Sequence, residues 1–240
     1  MVPPVNGDLA QSAQLPVRLL LLLDSRSPAG AHNHSGGMEA AVTGGFVATL
    51  QDVRDFCRGR LATTGLVVAA FAAAACRGWS AGWSARQWCE LDAEFTARTP
   101  SPATRAASRT LGSGLRRLLL ATVPDHARAV RDAWADCPQP APHHPLVLGA
   151  ATALVGGSPA VAAEAAALSV CLAPASAAVR LLGLDPYAVH GVLSELAADI
   201  ERCALTAADD RLAELPACSA PALELLADVH AASEVRLFAS

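Results

Sequence analysis

The sequence contains no lysine and few aromatic residues. All 18 basic residues are arginine, 22 residues are acidic, and the formal net charge is -4. This balance excludes the strongly basic surface typical of nucleic-acid-binding proteins. Without lysine, the chain also cannot supply the lysine of a phosphate-binding P-loop. Aromatic residues make up only 4% of a chain that is 52% hydrophobic, which favours closely packed helices over sheets.

Sequence motifs of the common enzyme classes are also missing. There is no GxSxG motif, no group of carboxylates at catalytic spacing and no cysteine in a reactive context. The seven cysteines are widely spaced and include no CxxC pair, which argues against a zinc site or a secreted disulfide framework. We therefore expect buried free thiols in a reducing cytoplasm and a protein that is not an enzyme. The alternative is a helical enzyme whose active site follows no known motif.

Two apolar stretches resemble membrane segments without fulfilling their requirements. Residues 15–23 contain Arg18 within the run, and no small-residue cleavage site follows as it would in a signal peptide. Residues 146–163 carry no charge, but GGSP at 156–159 interrupts them. We expect both stretches to be buried helices of a soluble protein.

Helical periodicity and helix-capping residues predict a single-domain, all-α bundle of about ten helices over residues 15–240, preceded by a flexible tail at residues 1–14. Separate helices are expected to end near Leu61 and to begin at Thr63. Residues 137–145 form the only proline-rich linker. Capping boxes or prolines at the first helical position mark the helix starts at Thr49, Ser84, Pro102, Pro159, Pro174, Pro186 and Pro221.

The helix that begins at Ser101 has two unusual features. Gly112 and Gly114 within it each cost about 1 kcal/mol relative to alanine, which indicates close backbone packing or a kink. The same helix carries four arginines, three of them near one face. Such a face is usually solvated, and the alternative is that it binds an acidic partner surface. The four residues are Arg105, Arg109, Arg116 and Arg117.

Residues 24–39, DSRSPAGAHNHSGGME, form a polar, glycine-rich insert between an apolar run and the alanine-rich helices. Its composition by itself is more typical of a connector than of a functional site. His32 and His34, with Glu39 nearby, are candidate ligands for a divalent metal such as nickel. An HxH pair in a loop lacks the i, i+4 spacing of strong metal motifs, so histidines bonded to the backbone are the simpler interpretation. The pair His143 and His144 is a weaker candidate.

The order of residues in this insert resembles the N-terminal motif of the UreF family of urease accessory proteins. Three later segments are similar to the family in the same order: residues 90–115, residues 176–186 and the carboxyl terminus. They resemble a Leu-Asp stretch with an R-x-A-S-x-x-x-G helix, an S-x-A-x-R-L segment and an H-E-x-x-x-x-R-L-F-x-S tail. Agreement falls on Leu23, Asp24, Ser25, Pro28, Gly30, His34, Ser35, Gly37, Glu39, Arg105, Ala107, Ser108, Gly112, Arg180, His230, Arg236, Leu237, Phe238 and Ser240.

The resemblance implies an all-α, cytoplasmic chaperone component for urease maturation that has no catalytic activity. Family members are usually dimeric. They bridge a UreD-type or UreH-type protein and a nickel-carrying UreG-type GTPase, and they couple GTP hydrolysis to nickel delivery into the urease apoprotein. Nickel is then handled in transit, with no stably bound cofactor and no nucleic-acid or membrane partner. The alternative is a metallochaperone that binds nickel directly through His32 and His34.

Most of the matching residues are also candidate partner-binding residues. In the C-terminal tail, Leu237 and Phe238 would be exposed unless they are docked, and burying each is worth about 1.5 to 3 kcal/mol. We therefore expect the tail to become ordered against the UreD-type partner. The candidate interface consists of Asp24, Pro28, Gly30, His34, Ser35, Gly37, Glu39, Arg105, Ser108, Arg180, His230, Arg236, Leu237 and Phe238.

Overall fold

The computed structural model describes residues 17–24, 27–29, 33–139, 141–208, 215–233 and 236–239. None of these residues lies in a β-strand, and the predicted all-α fold is confirmed. The predicted tail at residues 1–14 lies outside the described ranges. In chain order the helices are α1 (Val17–Leu23), α2 (Met38–Thr43), α3 (Leu50–Arg60), α4 (Leu66–Ser80), α5 (Ala85–Ala97), α6 (Pro102–Thr122), α7 (Ala127–Asp132), α8 (His144–Leu154), α9 (Pro159–Leu182), α10 (Pro186–Glu195), α11 (Ala197–Ala207) and α12 (Pro221–Ala231).

Most of the helix starts predicted from capping residues are confirmed. The Thr49 hydroxyl accepts a hydrogen bond from the Asp52 N–H, and the Asp52 carboxylate accepts one from the Thr49 N–H. At the start of α6, the Ser101 hydroxyl accepts a hydrogen bond from the Thr104 N–H at 3.0 Å. These bonds satisfy backbone donors that the first turn of a helix leaves without a partner.

Helices α3 and α4 are one continuous helix, joined by a π-helical turn at Leu61–Gly65. The prediction of a new helix at Thr63 is therefore wrong. Instead of capping a helix start, the Thr63 hydroxyl donates to the Gly59 carbonyl in the preceding turn, at 2.8 Å. The wider turn brings the Arg60 carbonyl to within 2.8 Å of where a Cβ on Gly65 would lie, so a glycine fits there.

The core is built around α4, which packs along α8 and α9. Residues 69–76 of α4 are buried and are mostly alanine, which lets neighbouring helices approach closely. A Cβ added to Gly149 of α8 would lie 2.1 Å from the Ala72 carbonyl oxygen. The predicted central helix of small residues is thus confirmed.

Helix α9 runs through Pro174 without ending, so the prediction of a new helix at this proline is wrong. Proline removes one backbone hydrogen bond, but the surrounding turns are held by packing because Pro174 and Ala175 are buried. The break predicted at 156–159 is confirmed: α8 ends at Leu154, and Gly156 adopts a left-handed conformation with φ 86°.

Two of the described helices, residues 50–80 and 159–182, are long and apolar enough to cross a membrane by length and composition. In the fold, 61% and 50% of their most apolar windows are buried within the protein itself. Helix α1 was expected to be fully buried, and this is wrong: only Leu19 and Leu22 are buried, whereas Val17, Leu20 and Leu21 are exposed. This short helix covers the bundle with one face only.

One pair of cysteines departs from the expectation of free thiols. Cys89 of α5 and Cys137 form a disulfide, with their Cα atoms 5.1 Å apart. The expectation failed because the two residues are 48 positions apart in sequence, and only the packing of α5 against the segment after α7 brings them together. The other five cysteines are free.

Candidate functional site

The insert at residues 24–39 ends in a shaped turn at the start of α2. Gly36 and Gly37 have φ angles of 59° and 87°, a left-handed conformation that glycine adopts without strain. The Ser35 hydroxyl accepts a hydrogen bond from the Glu39 N–H at 3.3 Å, and its carbonyl accepts one from the Met38 N–H. Ser35 is fully buried. Its position fixes the backbone that presents Glu39.

The Glu39 carboxylate binds the C-terminal end of the chain. One oxygen accepts a hydrogen bond from the Leu237 N–H at 2.7 Å. The other accepts one from the Phe238 N–H at 3.0 Å and contacts His230 Nε2 at 2.8 Å. Burial raises the pKa of Glu39, but the hydrogen bonds from Leu237, His230 and Phe238 outweigh it and hold this pKa below its usual value. The charged carboxylate is therefore the form that holds the tail.

Two further contacts attach the tail to the same region. The Ala239 N–H donates to the Asn33 carbonyl of the insert at 2.7 Å. Arg180 of α9 lies over the Phe238 ring, 5.4 Å from its centroid. Phe238 is 6% exposed, whereas Leu237 is 75% exposed. The insert and the tail thus form one continuous surface, which we call the insert–tail surface.

Helix α12, which supplies His230, is held in turn by the start of α6. The Ser101 N–H donates to the Glu224 carboxylate at 3.0 Å. The Ala103 N–H and the Ser101 hydroxyl both donate to Asp228. Glu224 and Asp228 are one helical turn apart and so reach the same neighbour. Negative groups at a helix N-terminus are stabilising, which fixes α12 between α2 and α6.

The arginines of α6 serve mainly contacts within the protein. Arg105 donates to the Thr99 and Pro100 carbonyls, both at 2.7 Å. Arg116 donates to the Arg131 carbonyl and lies over Trp134. Arg117 is the exposed member of the four. Most of the guanidinium groups on this helix are therefore engaged in contacts within the protein.

Arg109, the fourth of these arginines, belongs to a buried polar network with Asp92 of α5. Its guanidinium pairs with the Asp92 carboxylate at 2.8 Å, and the same carboxylate accepts a hydrogen bond from the His143 N–H at 3.1 Å. The His143 ring lies 3.0 Å from both the Ser108 hydroxyl and the Thr96 hydroxyl. Burial lowers the pKa of His143 to about 4, so the ring is neutral at pH 7.

Comparison with known proteins extends the resemblance over most of the chain. The family model described as UreF matches residues 47–197. A urease accessory protein UreF of Mycobacterium marinum is 41% identical over 222 residues, which cover 92% of this chain and 97% of that protein. The urease accessory protein UreF of Mycolicibacterium vanbaalenii is 41% identical, over 92% of this chain and 97% of that protein. The urease accessory protein UreF of Mycobacterium tuberculosis is 40% identical, over 88% of this chain and 92% of that protein.

The chain belongs to the UreF family. The family assignment expected from the sequence resemblance is therefore confirmed. Within this UreF-family fold, the candidate interface residues fall into two groups. Ser35, Gly37, Glu39, Arg180, His230, Arg236, Leu237 and Phe238 belong to the insert–tail surface or its supports, whereas Arg105 and Ser108 lie on α6.

The remaining candidates lie between residues 24 and 34 of the insert. The Asp24 carbonyl accepts a hydrogen bond from the Ser27 N–H at 2.8 Å, and Pro28 directly follows Ser27. Gly30 and His32 lie outside the described residues. His34 is buried and close enough to His144 to contribute to lowering the pKa of that residue to about 4, after the larger effect of burial. Among the described residues, no three His, Cys, Asp or Glu side chains converge as a metal site.

Sequence reasoning missed two residues of this region. Asp92 was part of the Leu-Asp stretch that resembles the family, but it received no role. His143 was considered only as a weak metal candidate. Asp92 and His143 are 51 positions apart, and their contact depends on the packing of α5 against the start of α8. The sequence signal that could have indicated this contact was an aspartate on one helix and a row of oppositely charged arginines on the next.

Proposed function

We propose that this UreF-family chain is a non-catalytic accessory protein of urease maturation that works by contact in the cytoplasm. In this role it bridges a UreD-type or UreH-type protein and a UreG-type GTPase, and couples GTP hydrolysis to nickel delivery into the urease apoprotein. The relatives named as urease accessory proteins support the pathway. The insert–tail surface supports the contact role, because two distant parts of the chain combine there into one surface.

The insert–tail surface has the character of a protein-binding surface. Leu237 is 75% exposed beside the buried Phe238. On α12, Leu225 and Val229 are each 67% exposed and lie one turn apart on the same face. Exposed apolar side chains are typical of protein–protein interaction sites. We propose that the insert–tail surface binds the UreD-type partner through Leu237.

The earlier expectation about the tail needs a correction before it is tested. Phe238 does not require a partner in order to be buried, since Arg180 and Glu39 hold it against the protein itself. Deleting residues 231–240 would thus also remove contacts within the fold. A substitution at the exposed Leu237 is a sharper test because it leaves these contacts in place.

Leu237→Asp should lower the affinity for the UreD-type partner by about 10-fold or more, because it places a charge in an apolar contact. Leu205→Asp on α11 is the matched control, since Leu205 is a similarly exposed leucine at 71%. Co-purification followed by a titration of the two purified proteins measures both. Equal binding by the two variants would contradict the proposed surface.

The role in maturation is tested by reconstitution. Urease subunits are expressed with the UreD-type and UreG-type proteins, with or without this chain, and the nickel content and activity of the urease are measured. We expect both to depend on the chain. Full activation in its absence would refute the role, whereas GTP turnover by the isolated chain would refute its non-catalytic nature.

We further propose that the chain acts as a homodimer and holds no stable cofactor, with nickel passing through the complex as cargo. Equilibrium dialysis of the isolated protein distinguishes this from direct nickel binding. Tight, near-stoichiometric nickel that is lost in the His32→Ala, His34→Ala double variant but not in His126→Ala would favour the metallochaperone alternative. His126 is an exposed histidine and therefore a suitable control. Light scattering of the same sample gives the oligomeric state.

A further inference from the structure

The disulfide between Cys89 and Cys137 joins α5 to the segment that follows α7. Both cysteines are only partly buried, so small thiols and disulfides can reach them from solvent. We infer that Cys89 and Cys137 form a reversible disulfide clasp that fixes the chain around Cys137, between α7 and α8, when it is oxidised and loosens it when it is reduced. This inference does not depend on the role in urease maturation.

The segment is attached to the body of the protein on both sides of Cys137. After it, the Ala141 carbonyl accepts a hydrogen bond from Arg109, and the His143 N–H donates to Asp92. Before it, the buried Trp134 packs on Trp88 of α5, with ring centroids 5.0 Å apart. The disulfide adds a covalent attachment between these two points, so reduction removes that bond and leaves the contacts on either side in place. The consequence is a local loosening around Cys137, with α8 still held by its buried network.

The clasp adjoins a cleft that includes part of the insert. Ala141 forms one wall of an open cleft of about 460 Å³, and Ser113, Arg117 and the insert residue Ala29 form other parts of it. Ala141 is four positions from Cys137. The residues that reduction loosens therefore border this cleft, while Ala141 itself stays bonded to Arg109.

Four of the five other cysteines are buried, which disfavours thiol–disulfide exchange at them. Cys57, Cys76, Cys171 and Cys203 are buried, and burial raises the pKa of Cys76 and of Cys203 to about 11. A thiolate is the species that attacks a disulfide, so Cys76 and Cys203 react slowly at neutral pH. The hydrogen bond with Cys171 lowers the pKa of Cys57, but Cys57 is fully buried and out of reach of solvent reagents. Cys218 is the one free cysteine that is partly exposed. It serves as a control because it lies outside the clasp.

The exchange is balanced with a low-molecular-weight disulfide such as oxidised glutathione as the oxidant. One protein thiolate attacks a sulfur of the glutathione disulfide, forming a mixed disulfide and releasing one glutathione thiolate. The second protein thiolate then attacks the protein sulfur of the mixed disulfide and releases the second glutathione. Two electrons and two protons pass from the protein to glutathione. Reduction is the reverse reaction, with two glutathione thiols supplying them.

The tryptophans of the protein provide a built-in readout. All four belong to one cluster, in which Trp88 contacts Trp79, Trp83 and Trp134 with ring centroids 5.0 to 6.0 Å apart. Trp88 precedes Cys89 in sequence, and the Trp134 carbonyl accepts a hydrogen bond from the Cys137 N–H at 3.4 Å. Since a disulfide quenches nearby tryptophan fluorescence, reduction should raise the emission.

The experiment uses the full chain in glutathione buffers that range from fully reduced to fully oxidised. Thiols are counted with a chromogenic disulfide reagent, the bonded peptides are identified by mass spectrometry, and amide hydrogen exchange is followed. We expect oxidation to remove two thiols, lower the fluorescence and slow exchange at residues 133–139 by about 10-fold or more, with little change in α4 and α8. Cys89→Ser and Cys137→Ser should abolish all three responses, and Cys218→Ser should leave them intact.

Two results would overturn the clasp. If the wild-type chain shows no bond between the Cys89 and Cys137 peptides in oxidised glutathione, the two cysteines do not form the clasp. If reduction speeds amide hydrogen exchange in α4 and α8 as strongly as at residues 133–139, the disulfide stabilises the whole fold and does not act as a local clasp. Chemical reduction of the unaltered chain gives the second result without any variant, so a misfolded substitution cannot obscure it.

Discussion

The Glu39 carboxylate and the His230 ring, 191 positions apart in sequence, meet at 2.8 Å in a site where both side chains are less than 10% exposed. The same carboxylate accepts the backbone N–H groups of Leu237 and Phe238. A single residue at the start of α2 thereby connects the insert, the last helix and the C-terminal tail. The candidate partner surface exists because these three elements are held together.

Glu39→Gln should therefore release the tail and destabilise the fold. The amide keeps one acceptor oxygen and turns an N–H₂ group toward donors, so buried hydrogen bonds are lost, and the free energy of unfolding should fall by about 1 to 3 kcal/mol. Urea denaturation measures this loss, and faster hydrogen exchange at Leu237 and Phe238 reports the tail. Glu90→Gln, which removes an exposed pair with Arg86, is the control. Unchanged protection of the tail amides would contradict the role of Glu39.

The buried ring of His143 makes stability depend on pH. Burial lowers its pKa to about 4 in the folded protein, whereas an unfolded histidine titrates near pH 6.5. The unfolded chain therefore binds the proton first as the pH falls. Stability should be constant above about pH 6.5 and should decline between about 6.5 and 4 by up to about 1.4 kcal/mol per pH unit.

Burial also lowers the pKa of His144 to about 4, so this residue affects stability in the same way as His143. Denaturation midpoints measured from pH 4.5 to 7.5 should show the combined slope of both residues. His143→Gln should reduce that slope by about half, whatever its effect on stability at pH 7. His126→Gln, at an exposed site, should leave the slope unchanged. A slope that persists in full without His143 would contradict its assignment.

Replacing only one member of the ion pair between Asp92 and Arg109 should lower the free energy of unfolding strongly. Their side chains are 7% and 16% exposed, so Asp92→Ala leaves a charged guanidinium without its partner, at a cost of about 3 to 5 kcal/mol. Asp132→Ala breaks the exposed pair with Arg128 and should have little effect. Replacing both members, as Asp92→Leu with Arg109→Met, should be less destabilising than Asp92→Ala. A double variant that is no more stable than Asp92→Ala would contradict this explanation.

The sequence predicted well the features that depend on neighbouring residues. The caps at Thr49 and Ser101 are confirmed, since a cap and its target are three positions apart. The all-α fold and the central helix of small residues are also confirmed. Two local signals failed, because packing overrode them: neither Thr63 nor Pro174 starts a new helix.

The contacts of the candidate site were less predictable because they join distant segments. The resemblance selected Glu39, His230 and Phe238 separately, but it gave no indication that they touch each other. The expectation that Phe238 needs a partner failed for this reason, as local sequence carries no information about a contact between residues 39 and 238. The disulfide from Cys89 to Cys137 was missed in the same way, since its geometry arises only after α5 and α7 are in place.

Two glycines within helices provide a test of backbone packing with opposite expected signs. A Cβ on Gly112 of α6 would lie 2.1 Å from the Pro142 carbonyl oxygen and 2.9 Å from both the His143 carbonyl carbon and the His144 nitrogen. Gly112→Ala should therefore force α6 away from the start of α8 and lower the free energy of unfolding by about 1 to 3 kcal/mol. It should also weaken the Ser108 contacts to His143, which lie one turn earlier on the same helix.

Gly59→Ala in α3 is the matched control, because no neighbouring atom lies within 4 Å of an added Cβ there. At this site alanine reduces the conformational freedom of the unfolded chain without a clash, so stability should rise by about 0.4 to 1 kcal/mol. Urea denaturation of the two variants gives both values under the same conditions. Because helix propensity alone predicts the same gain at both positions, a destabilised Gly112→Ala beside a stabilised Gly59→Ala isolates the contact with Pro142. Stabilisation of both variants would mean that α6 and the start of α8 do not pack this closely.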